Sequence, residues 1–196
     1  MSKLAFDALL ASVALLFEQR ADLRNFASFP DQLVWSGLAA NWVPAAGLIA
    51  AWPCGEDGPE TDVHQAVQAV ASSAEWRQSY TEAEVGKRFL ETYGYFELYG
   101  PSGHYHCNNA RGFVAYWGPG LTYDWHDHVA EELYFVLSGS ALFQSEGAAD
   151  AVLTRGGTRQ HMSKQPHAMQ TQDDAILVFV PWRGDGLDGL PKLRAS

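Results

Sequence analysis

Apolar residues recur at helical spacing from Lys3 to Gln19, where Phe6, Leu9, Leu10, Val13 and Phe17 fall on one side. Arg20 to Asp31 carries polar punctuation and Pro30, which reads as a turn into a short helix. From Asn41 to Pro59 the chain holds Pro44, Gly47, Pro53, Gly55 and Gly58, a composition that predicts irregular structure. Asp62 to Ala71 predicts a helix capped by Asp62 or Thr61, with Val63, Ala66, Val67 and Val70 on one face. Thr81 to Tyr93 predicts another, because Thr81 and Glu84 match a capping box and Val85, Phe89 and Tyr93 form an apolar side.

After Gly94 the period changes from helical to alternating. Gly94–Tyr99, Gly112–Trp117, Leu121–His126, Glu132–Leu137, Ala141–Gln144, Ala151–Thr154, His167–Thr171 and Ile176–Val180 all read as strands separated by glycine-containing turns. Short strands in this number predict a small barrel or sandwich, and the segregation of helices from strands argues against an alternating parallel sheet.

Composition narrows the functional classes. Apolar residues make up 47% of the 196, which excludes a disordered chain. A formal net charge of -10 argues against nucleic-acid binding, which needs a basic surface to track phosphates. Cys54 and Cys107 are too few for a disulfide framework, so both thiols are expected to be structural in a reducing compartment. The leucines near the N-terminus are interrupted by Asp7 and Glu18, and no apolar run is long enough to span a bilayer. A cytoplasmic location without a membrane partner is the expectation.

The candidate chemistry lies in GLTYDWHDHVAEELYFVLSG, Gly120 to Gly139. Side chains two apart share a strand face, so His126 and His128 point together while Asp127 turns away. Glu132 and Tyr134 share a face of the next strand, opposite Leu133, Phe135 and Leu137. Two imidazoles and a carboxylate suit a first-row divalent metal. A fourth ligand is sought downstream at His161 or His167, with His167 preferred because it begins a late strand. Glu131 points opposite Glu132 and reads as a solvated or supporting group. Tyr123 stands three residues before His126, so alternation places it on the far face unless a bulge turns it. Trp117, Trp125, Tyr116 and Phe143 are candidates for a shared cavity or for plain core packing, and Arg155 and Arg159 for structural or rim positions.

The spacing from Gly120 through His126, His128 and Glu132 to Gly139 resembles the first cupin motif, while Gly157 and His161 resemble only the start of the second. The fold expected from this resemblance is mainly β, a single cupin (jelly-roll-like) β-barrel over residues 94–182. A helical region, 1–93, would pack on it and a tail, 183–196, would follow. A narrower resemblance covers most of the chain. RNF at Arg24–Phe26, Trp76–Tyr80, Gly94–Gly100 with the following GHYH, the central YWGPG…LSG segment, GGTRQH, PHAMQT and PWRG are similar to the bacterial cupin-type dimethylsulfoniopropionate lyases.

That resemblance implies a metal held by His126, His128, Glu132 and His167, with zinc, iron or manganese as the ion. It implies Tyr134 as catalytic base and Tyr123 and Trp182 at the substrate, and it permits a homodimer. It leaves the role of His161 open. The implied reaction is β-elimination of a sulfonium carboxylate to dimethyl sulfide and acrylate. A metal would stabilise charge on the carboxylate and bring Tyr134, whose ordinary pKa is near 10, toward phenolate. The alternatives are a cupin dioxygenase or isomerase acting on another small carboxylate, and a non-catalytic small-molecule sensor.

Overall fold

In the computed structural model, which describes residues 3–189 and 191–193, the N-terminal apolar stripe forms helix α1, Lys3–Gln19. Phe6, Leu9, Val13 and Phe17 of the predicted stripe are buried, while Leu10 is only half-buried and Leu16, outside the prediction, packs in its place. Helix α2, Ala21–Phe26, follows. Helices α3 (Pro44–Ala51) and α4 (Pro59–Val70) arise where the prolines read as breaks. In both helices Pro occupies the first turn, where the missing N–H would be unpaired anyway and the fixed φ is already helical. The irregular chain expected from Asn41 to Pro59 is corrected accordingly, and the next helix begins at Pro59 rather than Asp62. The single helix expected after Thr81 is divided into α5 (Glu82–Val85) and α6 (Lys87–Glu91), because Gly86 lies between them at φ +78°. The capping interaction does form: Glu84 Oε2 accepts from the Thr81 N–H at 2.7 Å and from its hydroxyl at 2.8 Å.

The strands are β1 (Val34–Trp35), β2 (Tyr93–Gly100), β3 (Tyr105–His106), β4 (Arg111–Trp117), β5 (Thr122–Asp127) and β6 (Glu131–Ser145). They continue as β7 (Ala148–Thr154), β8 (Thr158–His161), β9 (His167–Gln170), β10 (Ile176–Arg183) and β11 (Lys192–Leu193). Glu132–Leu137 and Ala141–Gln144, expected as two strands, are one continuous strand, β6. It passes through Gly139 at φ +78°, where a Cβ would stand 1.8 Å from the Ala175 carbonyl oxygen, so only glycine fits.

Alternation within the strands divides the interior in two. Phe96, Leu98, Val114, Tyr116, Leu133, Phe135, Leu137, Leu177 and Phe179 pack with the buried faces of α1 to α4. Tyr93, Tyr95, Phe113, Ala115, Trp117, Tyr134, Val136, Val178, Val180 and Trp182 form a second cluster on the other side. Burying a large apolar side chain contributes roughly 1.5–3 kcal/mol, so both clusters hold the sheet in register.

Among the described residues the closed barrel expected from the sequence is not formed. The described strands make an 11-stranded sheet in the order β1-β3-β2-β4-β10-β6-β9-β5-β11, with β7 and β8 also paired to β6. Its ends, β1 and β11, have only two residues each and do not pair with one another among the described residues. The expectation of a mainly β, single jelly-roll barrel is therefore corrected to a mixed arrangement of N-terminal helices and an open, cupin-like sheet. Alternation decides which side of a strand is buried but leaves open what its edge meets. Here β3 takes β1 at one end, and β5 takes β11 at the other.

Candidate functional site

The register of β6 with its neighbours assembles the site. Glu132 lies opposite His161 of β8 on one side and opposite Trp182 of β10 on the other. His126 of β5 lies opposite His167 of β9. One carboxylate and several rings thus converge from five strands and from the turn after β5 that carries His128. One nitrogen from each of His126 and His167 and one oxygen of Glu132 lie within 4.8 Å of one another, and all three residues are buried. His128 stands slightly apart from this trio, with Nε2 3.2 Å from Glu132 Oε2. It lies one residue past the end of β5.

The hydrogen bonds identify the proton on each ring. His126 Nδ1 is 2.7 Å from the Asp124 carbonyl oxygen, His128 Nδ1 is 2.8 Å from that of Ala130, and His167 Nδ1 is 2.8 Å from that of Gln165. A carbonyl oxygen only accepts, so each Nδ1 carries a hydrogen and Nε2 of the neutral ring carries a lone pair. All three Nε2 atoms are buried without a hydrogen-bond partner, although His167 Nε2 is 2.8 Å from Glu132 Oε1. A lone pair facing a carboxylate repels it unless a cation sits between them; a proton can serve one ring at a time, whereas a divalent ion serves all of these donors at once. The donor set therefore fits a divalent metal, which His126, Glu132 and His167 could hold with His128 adjacent.

Electrostatics follow from burial and from this crowding. Burial and the neighbouring His167 push His126 down to about 3. Burial opposes ionisation of Glu132, but His128 and His167 beside it hold its carboxyl well below the usual range. Burial likewise opposes a charge on His128, and Glu132 outweighs it, raising the ring. Burial, with Glu132 next, pushes the Tyr134 phenol well above its ordinary value. In the protein's own field Tyr134 is accordingly a phenol at neutral pH.

Tyr123 reaches the site by a bulge. The pairing of β5 with β9 shifts register between Tyr123 and His126, and the Tyr123 ring comes to 4.0 Å from that of His126. Its hydroxyl shares a 2.9 Å hydrogen bond with that of Tyr80. Trp182 donates from Nε1 to Glu132 Oε2 at 2.9 Å and stacks on His128 at 4.2 Å. Glu131 turns away and pairs with Arg183 at 2.6 Å.

A cavity opens beside Glu132, walled by Tyr93, Tyr95, Phe113, Trp117, Tyr123, Tyr134 and Trp182. Of the four aromatics considered from the sequence, Trp117 lines it and Phe143 packs edge-on against Tyr134 at 5.4 Å. Tyr116 faces the helices, and Trp125 is exposed. Sequence reading missed Tyr93, Tyr95 and Phe113 as wall residues. Their signal was present in alternation: Tyr95 and Ala115 are opposite each other, as are Tyr93 and Trp117, on the face that carries Tyr134. Arg155 bonds the Glu56 carbonyl and Arg159 the Ser145 hydroxyl, away from the cavity. Neither cysteine is in a disulfide: Cys54 bonds the Gln68 side chain and Cys107 the Ala110 carbonyl. No helix among the described residues is long and apolar enough to cross a membrane.

Comparison with known proteins places these features in one lineage. The family profile of dimethylsulfoniopropionate lyases matches residues 18–178. Dimethylsulfoniopropionate lyase DddQ of Ruegeria pomeroyi is 32% identical over 181 residues, covering 92% of this chain and 90% of its own. The crystal structure of that lyase superposes with a TM-score of 0.91 over 98% of this chain and 97% of the other. A structure from work on the dimethylsulfoniopropionate lyases RdDddP and RnDddQII is 42% identical, with a TM-score of 0.95 over 98% and 99% of the two chains. The chain belongs to the dimethylsulfoniopropionate lyase family.

Proposed function

We propose that this chain is a metal-dependent lyase that cleaves dimethylsulfoniopropionate to dimethyl sulfide and acrylate, with Tyr134 as the base. The observation that carries the reading is the set of buried, unpartnered imidazole nitrogens around Glu132, placed beside Tyr134 in an aromatic cavity. Relatives named as lyases of this substrate, aligned over nearly the whole chain, support the substrate class.

His126, His128, Glu132 and His167 would hold the ion, and zinc, iron and manganese all suit this nitrogen and oxygen set. When bound, a divalent cation supplies positive charge that favours the Tyr134 phenolate and the charge that develops on the substrate carboxylate. Tyr134 takes the proton from the carbon next to that carboxylate. The electron pair of the C–H bond forms the double bond of acrylate as the C–S bond breaks, and dimethyl sulfide leaves neutral. The leaving group needs no acid. The aromatic walls, including Trp182 and Tyr123, would draw the sulfonium by cation–π attraction, about 0.5–2 kcal/mol per ring that it meets. They also keep water from the base.

The test is headspace detection of dimethyl sulfide, with acrylate measured alongside, from the purified chain after loading separately with zinc, iron or manganese. Stoichiometric release of both products, abolished by a chelator, is the expected result. Folded, metal-loaded protein that releases neither product would overturn the reading.

A further inference from the structure

We infer that His161 is a positioning residue for the metal centre: its Nδ1–H fixes the Glu132 carboxylate while its ring face fixes His167. The inference rests on reading the site as a metal centre, although it does not require that the substrate be dimethylsulfoniopropionate.

His161 closes β8, directly opposite Glu132 in register, and both side chains are almost fully buried. Its Nδ1 lies 2.8 Å from Glu132 Oε1. An ionised carboxylate only accepts, so Nδ1 must carry the hydrogen. On its flat side, His161 lies 3.9 Å from the His167 ring at an interplanar angle of 15°. One imidazole thus touches two members of the trio and sets a rotation in each. Trp182 Nε1 holds the other carboxylate oxygen from the opposite strand at 2.9 Å. Between these two donors the Glu132 carboxylate has its plane and its remaining lone pairs defined. His161, like His128, is outside the converging trio, but His128 faces Glu132 with Nε2 whereas His161 meets it with Nδ1, the nitrogen that carries the hydrogen. Fixing a ligand's orientation from outside is worth 10–100-fold in metal affinity in comparable sites, roughly.

Three substitutions separate this role from the alternatives. In His161→Asn the side-chain amide N–H replaces Nδ1–H, in His161→Gln the amide oxygen, itself able to ligate, reaches where Nε2 was, and His161→Leu removes both. Zinc affinity is measured by chelator competition on the stripped and reloaded chain, and the visible spectrum of the cobalt-loaded protein reports the ligand set. Circular dichroism establishes that each variant is folded. His161→Asn is expected to keep affinity within a few-fold, while His161→Gln and His161→Leu lose about 10–100-fold, all with a cobalt spectrum of unchanged type. Retention by His161→Gln with loss in His161→Asn would instead make Nε2 a metal ligand and overturn the inference. Equal loss in all three, or loss in none, would overturn it as well, since the first denotes packing and the second no role. Because affinity is read without turnover, a chain that binds metal in this pattern yet releases no dimethyl sulfide would refute the substrate and leave the role of His161 standing.

Discussion

Alternate residues of β6 build two different interiors on a single stretch of backbone. On one side Leu133, Phe135 and Leu137 meet the helices in a cluster whose sheet residues are mostly aliphatic or Phe. On the other, Glu132, Tyr134 and Val136 meet tyrosines, tryptophans and a ring of histidines. Both faces are equally dry, since Phe135 is 0% and Glu132 2% exposed. The difference lies in how polar groups are treated. On the helix side buried histidines stand alone: His104 accepts from the Glu75 N–H and stacks on Phe6, and His64 bonds the Ser138 hydroxyl. Each of those two leaves one ring nitrogen unpartnered, but the two are far apart in the fold, whereas on the cavity side His126, His128 and His167 gather around one carboxylate with their Nε2 atoms unpartnered and His161 behind it. Isolated polar groups are tolerated for packing. A convergent set with lone pairs unused is built for a ligand.

That contrast is broken most sharply at adjacent positions. Tyr134→Phe is expected to lower elimination by about 10²–10⁴-fold while metal content and unfolding midpoint stay close to those of the parent. Steady-state rates together with metal analysis measure this, and normal turnover would remove Tyr134 from the role of base. Its neighbour should respond in the opposite sense. Phe135→Ala is expected to cost about 3–5 kcal/mol in urea unfolding, with metal bound by the folded fraction unchanged. Loss of metal at full stability would mean that the two faces are not independent.

The smallest effect concerns the solitary histidines. Burial holds His64 and His104 at about 4, below the ordinary value of 6.5. The unfolded chain therefore takes up protons that the native state refuses, and stability falls as pH is lowered from about 6.5 to about 4, levelling below. Each residue contributes at most about 1.4 kcal/mol per pH unit across that window. His104→Gln offers an amide oxygen to the Glu75 N–H without titrating, and is expected to flatten the pH dependence of unfolding free energy. An unchanged slope would show that His104 is protonated in the native state after all.

Much of this division was legible before folding was considered. The stripe in α1 and the in–out order of Glu132 to Leu137 follow from fixed periods of 3.6 and 2, which depend on backbone geometry alone. So does the need for a bulge to bring Tyr123 beside His126, which the shifted register of β5 supplies. Where reading failed, composition and conformation diverged. Pro44 and Pro59 look like breaks but begin helices. Thr158–His161 is too polar and short to announce a strand, yet as β8 it delivers His161 to Glu132.

The sequence by itself therefore determined the two faces of each strand, the run of ligand-type residues and the phenol beside them, because these are local consequences of spacing. Only the tertiary structure decided that the sheet stays open, that His167 and His161 stack side by side, and that Tyr93, Tyr95 and Phe113 wall the cavity. Those outcomes depend on which strand edges meet and in what register, and hydrogen-bonding edges are chemically alike along every strand. Their pairing is selected by the packing of the whole chain.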